Sequence, residues 1–299
     1  MPAGPSSRFM QHQRGVALLV VLWACTLLAV LLGGLATLAK TDATQTRYLS
    51  TRAQLRYLAE AGVMRAIAEI TAKKNGRWVG DGRPYGLVID GQRIDVRIVD
   101  DSGKVDINKA DPPVLQNLFV AAGMDAADAA TLADNVRESR DAGGAFNREE
   151  GAQRYARGGL DQGPRYAEFN APDEIQSVLG MTPELYRKIA PVLTVWSHRM
   201  SPAPAFAPPL ALAALPGMDM VSAERFVSMR STLNPVMPPV ALPNGMPMGA
   251  MRGSDTRTVV ASATAADGTT SRISATVRIE VFPGRGSYTV LRWQEDAAE

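Results

Sequence analysis

The feature that most constrains this chain is a long uncharged stretch that begins directly after Arg14-Gly15. From Val16 to Ala39 the sequence contains no Asp, Glu, Lys, Arg, Asn or Gln. As an α-helix this stretch is roughly 36 Å long at about 1.5 Å per residue, enough to cross a hydrocarbon core of about 30 Å. The sequence stays compatible with a helix to about residue 74. We therefore predict one long helix, apolar in its first half and amphipathic in its second.

Three kinds of segment begin in this way. A cleaved secretory signal has an apolar core of only about 7–15 residues, which is shorter than this stretch. A simple membrane anchor fits the length and the preceding basic residues. A third alternative resembles the signal of type IV pilins, which a prepilin peptidase cuts directly before the apolar run. It places the cut between Gly15 and Val16 and makes Val20 the fifth mature residue, where most pilin-like subunits carry Glu.

Composition and charge narrow the possible functions. The formal net charge is +2, and removal of a leader with Arg8 and Arg14 brings it to 0, which argues against non-specific nucleic-acid binding. The only cysteine, Cys25, lies inside the apolar run, so no internal disulfide can form. The two histidines, His12 and His198, are far apart in the sequence, and no catalytic triad or phosphate-binding glycine loop stands out. These residues predict a protein that is not an enzyme.

An amphipathic pattern follows the apolar run. Apolar side chains recur at helical spacing, while arginine and glutamate occupy the other faces. Asn75-Gly76 is suited to end this helix. Two β-rich runs, 87–89 and 94–99, then flank Asp90-Gly91, which favours a hairpin turn with positive φ. The predicted helical stripe consists of Tyr48, Leu55, Leu58, Ala59, Val63, Ile67 and Ile70.

Strand-like alternation returns at residues 256–264, 272–282 and 287–293. The sequence between the two β-rich parts is mainly helical. We predict an α+β fold in which a long N-terminal transmembrane and amphipathic helix packs on an antiparallel, pilin-like sheet, with a large all-α domain inserted between strands of that sheet. The predicted boundaries are 1–15 for the leader, 16–39 for the transmembrane half of the helix, 40–102 for the amphipathic helix and first strands, 103–232 for the inserted domain, 233–251 for a Pro- and Met-rich linker, and 252–299 for the last strands.

The inserted part repeats one pattern of a short helix, a glycine-containing hairpin and a second helix. The three copies centre on Ala122-Gly123-Met124, Leu179-Gly180-Met181 and Leu215-Pro216-Gly217-Met218. This arrangement resembles the helix-hairpin-helix units of DNA-binding proteins, in which backbone N–H groups hold phosphates. The neighbouring charges argue against that use, because Lys or Arg is needed for phosphate binding. Acidic or polar neighbours are Asp125, Asp128, Thr182, Glu184, Asp219 and Glu224, and the cations are Arg187, Lys188 and Arg225. We therefore predict a packing role and no nucleic-acid partner.

The order of these parts resembles the K-type minor pseudopilin of the type II secretion system. The likeness is most specific at 103–108, 179–186 and 212–218, together with the leader and Val20. The resemblance implies prepilin-peptidase processing and N-methylation at Gly15 and Val16. It also implies assembly with I- and J-type minor pseudopilins and other pseudopilus subunits, and a structural role at the tip of a periplasmic pseudopilus. The implied location is the inner membrane, with a single span, a cytoplasmic N terminus and a periplasmic globular part.

Some relatives of this family bind calcium in the insertion, so the resemblance raises the same question for residues 136–155. Calcium prefers clusters of oxygen ligands. The position after Gly151-Ala152, where an acidic pair is expected, carries Gln153-Arg154. Carboxylates in the loop are those of Glu138, Asp141, Glu149 and Glu150, interleaved with Arg137, Arg140 and Arg148. A second acidic group, Asp100, Asp101 and Asp106, is interpreted as turn and cap residues. We predict no metal ligands and no cofactor.

Two other functional classes remain open on the sequence alone. The hairpins are compatible with a membrane-tethered DNA receptor of a competence-type system. The net charge of 0 without the leader disfavours this function, because DNA-binding domains are usually basic. A membrane-anchored enzyme has the least support from the residue types present. For the pseudopilin, Val20 has a physical interpretation. The Glu of fibre subunits is thought to pair with the N-terminal amine of a neighbour, and a subunit at the tip has no subunit ahead of it that requires this pairing.

Overall fold

The computed structural model describes residues 13–71, 78–232, 241–242, 244–245, 253–282 and 285–296. Most of the predicted leader and linker, and the helix stop at Asn75-Gly76, lie outside these residues. Two units make up the chain, Met1–Gln54 and Leu55–Glu299. The first unit holds the apolar part of one long helix, and the second holds the sheet and the insertion.

The elements alternate between a β-rich part and a helical insertion, as the sequence predicts. Three short 3₁₀ helices, Asp101–Gly103, Pro172–Ser177 and Ala190–Val192, connect them. In chain order the helices and strands are α1 Gln13–Thr71, β1 Asp81–Ile89, β2 Gln92–Asp100, β3 Val105–Asp106, α2 Pro112–Ala121, α3 Ala126–Ser139, α4 Arg148–Arg157, α5 Pro183–Ile189, β4 Leu193–Thr194, α6 Pro209–Ala213, α7 Met220–Thr232, β5 Thr256–Thr264, β6 Thr270–Phe282 and β7 Arg285–Asp296.

Five strands form one antiparallel sheet in the order β1-β2-β5-β6-β7. Asp90 and Gly91 turn the first hairpin with positive φ values of 51° and 75°, as the Asp-Gly pair predicts. β2 then pairs with β5, which follows the insertion, so that Ile94 lies opposite Ala263. The prediction that strands on both sides of the insertion share one antiparallel sheet is confirmed.

The second half of α1 packs on one face of this sheet. Leu55, Ala59, Val63 and Ile67 are buried, which confirms the predicted stripe from Leu55 onward. Tyr48, which we placed in the stripe, is 50% exposed and belongs to the first unit, so the stripe begins later than predicted. The strands contribute the other half of this core, namely Ile94, Val96, Ile98, Val259, Ala261, Ala263, Ile273, Ala275 and Val277.

A second core lies inside the insertion. It is formed by buried side chains of α2, α3, α5, α6 and α7, with Phe119 and Phe226 the largest among them. The insertion is not all-α, because β3 pairs in parallel with β4 and Val105 lies opposite Leu193. Both segments are buried, and their backbone groups therefore need partners, which the ladder supplies. Leu242, inside the predicted linker, is also buried in this core.

Gly62 determines how closely α1 approaches the sheet. A Cβ at this position would lie 2.9 Å from Cγ2 of Ile94 and 3.1 Å from Cβ of Ala261. Both neighbours are fully buried, so neither can move aside without disturbing the core. The absence of a side chain at position 62 thus allows the helix and sheet to pack directly.

We predict that Gly62→Ala destabilises the chain by about 1–3 kcal/mol, because it overpacks this core. Helix propensity alone predicts the opposite sign, a gain of about 1 kcal/mol. The free energy of unfolding of the full chain in detergent, measured by urea titration, distinguishes the two. Gly86→Ala is the control, since no atom lies within 4 Å of its Cβ. A gain in stability for Gly62→Ala would contradict the packing described above.

Candidate functional site

The apolar half of α1 is the first candidate functional element. Val16–Leu35 has a mean hydropathy of 2.7 and is the one segment of the described residues long and apolar enough to span a membrane. Gly15 lies within the helix, which begins at Gln13, and Val16 and Val20 are each 62% exposed. An exposed apolar surface of this length needs lipid or protein to cover it. The roles of Gly15, Val16 and Val20 stay predictions.

A buried ion pair lies where the sheet meets the insertion. Nζ of Lys104 is 2.8 Å from Oδ1 of Asp101, and both side chains are at most 7% exposed. Thr258 of β5 accepts a hydrogen bond from Lys104 and donates one of 2.8 Å to Asp101 Oδ1. Thr194 of β4 donates to Asp101 Oδ2 at 2.7 Å. The carboxylate therefore joins β5 of the sheet to β4 of the insertion.

Asp100 makes a second junction beside this pair. Its Oδ1 accepts hydrogen bonds from the backbone N–H groups of Ser102, at 3.0 Å, and Ser254, at 2.9 Å, and from both hydroxyls. Its Oδ2 lies 3.4 Å from Nε of Arg257. A Cβ on Gly253 would lie 2.0 Å from the same carboxylate oxygen, so only glycine fits there. The end of β2, the following 3₁₀ turn and the entry to β5 thus converge on one carboxylate.

The third carboxylate of the predicted acidic group, Asp106, has separate partners. It accepts hydrogen bonds from the backbone N–H groups of Asn108, at 2.9 Å, and His198, at 2.7 Å. Burial raises the pKa of Asp106, and these hydrogen bonds oppose that rise. Asp100 caps the 3₁₀ turn at Ser102, as predicted. Among the described residues, no three His, Cys, Asp or Glu side chains are grouped so as to hold a metal ion.

Two arginines extend the contact between sheet and insertion. Arg230 of α7 donates to the carbonyl oxygens of Pro204, at 2.6 Å, and Asp81 of β1, at 3.0 Å, and burial lowers its pKa to about 10. At the other edge of the sheet, Nη2 of Arg292 lies 2.5 and 2.7 Å from the carboxylate oxygens of Asp173. Tyr186 donates to the same carboxylate, and burial followed by this hydrogen bond raises its pKa to about 12.

The three predicted hairpins each contain a glycine with positive φ. The values are 99° at Gly123, 94° at Gly180 and 72° at Gly217. In the helix after each turn, one of the N–H groups that could meet a phosphate already donates to a side chain. Asp125 accepts from Ala127 N, Thr182 from Leu185 N, and Asp219 from Ser222 N.

Lys188, one of the cations near the hairpins, binds to another part of the same chain. Nζ of Lys188 donates to the carbonyl oxygen of Ala122 at 3.0 Å, across the first hairpin. Hydrogen bonds from Ser222 lower the pKa of Asp219, and this exposed carboxylate places a negative charge beside the third hairpin. Internal caps and negative charge both disfavour phosphate contacts. The arrangement favours packing over DNA binding.

The loop that the family resemblance connects with calcium does not fit that ion. Glu138 is buried and paired with Arg154. Arg154 occupies one of the two positions after Gly151-Ala152 at which the family resemblance leads us to expect an acidic residue. Asp141 accepts from the backbone N–H groups of Gly143, at 2.9 Å, and Ala145, at 2.8 Å. Glu149 and Glu150 lie in the exposed first turn of α4. An open depression of about 570 Å³ beside the loop is lined by charged side chains of both signs, Lys109, Arg137, Arg140, Asp141 and Glu168.

Comparisons with known proteins agree with the family resemblance. Residues 92–198 match the family model described as type II secretion system, protein K. The resemblance to a K-type minor pseudopilin is confirmed. A search of curated proteins finds no significant match.

Among solved structures, a chain of the GspK-GspI-GspJ complex from the type 2 secretion system of enterotoxigenic Escherichia coli matches with a TM-score of 0.52 at 14% identity. The alignment covers 85% of this chain and 99% of that chain, and at this identity it shows a shared fold.

The segment matched to protein K contains one side of the buried junction. It runs from the start of β2 to His198 and includes Asp101, Lys104 and Thr194, whereas Thr258 lies outside it. Sequence reasoning assigned Asp101 to a turn and missed Lys104, three residues further on, because the local pattern does not show that both side chains are buried. It missed Thr258 because that residue is 157 residues from Asp101 in the sequence.

We predict that Lys104→Met strongly destabilises the junction. The substitution keeps an unbranched side chain but leaves the Asp101 carboxylate buried without a cation, which costs about 3–5 kcal/mol. The measurement is the free energy of unfolding of the full chain in detergent, by urea titration with circular dichroism. A second readout is cleavage between the sheet and the insertion by proteinase K, which does not require lysine and which we expect to accelerate.

Lys109→Met is the matched control for this prediction. Lys109 pairs with Glu168 at 2.5 Å, but its side chain is 39% exposed and that of Glu168 is 58% exposed. An exposed ion pair contributes less than about 1 kcal/mol. Equal losses of stability in the two lysine variants would show that the Asp101–Lys104 pair has no special role.

Proposed function

We propose that this chain is a minor pseudopilin of a type II secretion system that assembles with I- and J-type partners at the tip of the periplasmic pseudopilus. The match of residues 92–198 to protein K carries this proposal. A helix that is apolar over Val16–Leu35 and continues into a folded α+β unit supports it, because such a subunit can be stored in a membrane and then assembled. The I- and J-type partners are inferred from the composition of the similar GspK-GspI-GspJ complex.

The proposed action is assembly and not catalysis. The charged groups buried between sheet and insertion hold elements together, as Asp101 and Lys104 do. Asp106 likewise accepts hydrogen bonds from the backbone N–H groups of Asn108 and His198 and connects the segments that follow β3 and β4. The helical insertion, with helix-hairpin-helix-like turns capped by their own side chains, serves as a bulky packing module at the tip.

The proposed topology follows from charge. Basic residues before a span favour the cytoplasmic side, and the leader carries Arg8 and Arg14. The N terminus is therefore cytoplasmic and the sheet and insertion are periplasmic, with a single span in the inner membrane. Prepilin peptidase then cuts between Gly15 and Val16 on the cytoplasmic side, and the new N terminus is methylated.

We predict that the protein recovered from cells with an active prepilin peptidase begins at Val16, and that it begins at Met1 in cells without the peptidase. Mass spectrometry of the intact chain measures this, and a methyl group adds to the mass of the mature form. Gly15→Leu is expected to remain uncut, because the residue before the cut must be small. Gly4→Leu, inside the same leader, is the control and is cut normally. An uncut chain in all cells would rule out the pseudopilin assignment.

We further predict that Val20→Glu lowers incorporation of this subunit into a complex with I- and J-type pseudopilins. A carboxylate in an apolar span is costly unless a cation pairs with it, and a tip subunit has no subunit ahead of it to supply an amine. The amount of this chain that co-purifies with the J-type partner is the measurement. Val20→Leu, which keeps the position apolar, is the control. Unchanged assembly and secretion with Val20→Glu would leave Val20 without this role.

A further inference from the structure

Glu138, at the end of α3, holds a buried charge. It is 3% exposed, and a carboxylate in such surroundings needs a cation or several donors to remain ionised. Arg154 of α4 makes an ion pair with its Oε2. The hydroxyl of Tyr166 donates to its Oε1 at 3.2 Å. Groups of the chain itself therefore occupy both carboxylate oxygens.

The packing of α4 against α3 places Arg154 in this position. Tyr155, the next residue, is buried, and its hydroxyl lies 2.9 Å from Oγ of Ser139. One turn earlier, a Cβ on Gly151 would lie 2.1 Å from the Tyr166 hydroxyl and 2.7 Å from Oε1 of Glu138. The backbone of α4 therefore lies close to the Glu138 carboxylate, and no side chain larger than hydrogen fits at position 151. This close approach places the Arg154 guanidinium beside Oε2 of Glu138.

The surroundings of Glu138 are unsuited to an additional divalent cation. Calcium takes 6–8 oxygen ligands at about 2.3–2.6 Å, whereas the oxygens of Asp141 already accept backbone N–H groups. Arg148 lies with its guanidinium 5.1 Å from the centre of the Tyr166 ring, which adds a second positive charge close to the site. Positive charges at this distance repel an incoming divalent cation.

We propose that Arg154 is the resident cation that holds α4 against α3, so that the inserted domain of this chain folds without calcium. The guanidinium supplies the positive charge and the directed donor that the buried carboxylate requires. The assignment concerns the folding of the insertion and is independent of the proposed place of the protein at the pseudopilus tip.

The test compares the full chain in detergent, in millimolar calcium chloride and in EDTA. We expect the same Tm and the same amide hydrogen exchange over residues 136–157 in both solutions. Arg154→Ala is expected to lower Tm by about 3–6 °C, as the loss of a partly buried ion pair does in a chain of this size, and to accelerate exchange in α4. The decrease should be the same with and without calcium.

Two further variants separate this role from a general effect of arginine. Arg157→Ala lies on the same helix, where its Nε donates only to the carbonyl oxygen of Gln153, and is expected to change Tm by less than about 1 °C. Adding Glu138→Gln to Arg154→Ala should recover part of the loss, because no unpaired charge remains buried. A rise in the Tm of the unmodified chain with calcium, or equal losses in the Arg154 and Arg157 variants, would overturn the proposal.

Discussion

The buried pair between Asp101 and Lys104 is the interaction on which the arrangement of residues 55–299 depends. The sheet and the insertion have separate apolar cores, and neither core extends into the other. Asp101 contacts both parts through hydroxyls, Thr258 on β5 and Thr194 on β4. Hydrophobic contacts are not directional and would allow several orientations of the insertion on the sheet. A desolvated ion pair keeps all of its hydrogen bonds in only one of these orientations. The orientation of the insertion on the sheet is therefore set by polar groups.

The long helix α1 combines two chemical surfaces in one element. Its second half completes the core of the sheet, with Gly62 allowing direct contact, while the exposed segment Val16–Leu35 has the length and hydropathy of a membrane span. Both properties belong to one helix, Gln13–Thr71. This organisation suits a subunit that works by assembly, and it agrees with the match to protein K.

Several sites that could bind ligands in other proteins are occupied internally in this chain. Asp125, Thr182 and Asp219 cap the helix N-termini that could hold phosphates. Arg154 neutralises the carboxylate that could attract a metal ion. A side chain that satisfies a buried or terminal group contributes to stability without a ligand from solution. At these places the insertion supplies its own helix caps and its own cation.

The sequence by itself determined the long helix, the hairpin at Asp90-Gly91, the antiparallel strands on both sides of a helical insertion, and the glycine turns at positions 123, 180 and 217. These features depend on local periodicity and on backbone conformations that few residues tolerate, so they can be read from neighbouring residues. Only the tertiary structure decided that β3 and β4 pair, that Lys104 meets Thr258, and that Arg154 neutralises Glu138. Such contacts join residues far apart along the chain, and a charged residue has the same local pattern whether it ends up exposed or buried beside a partner.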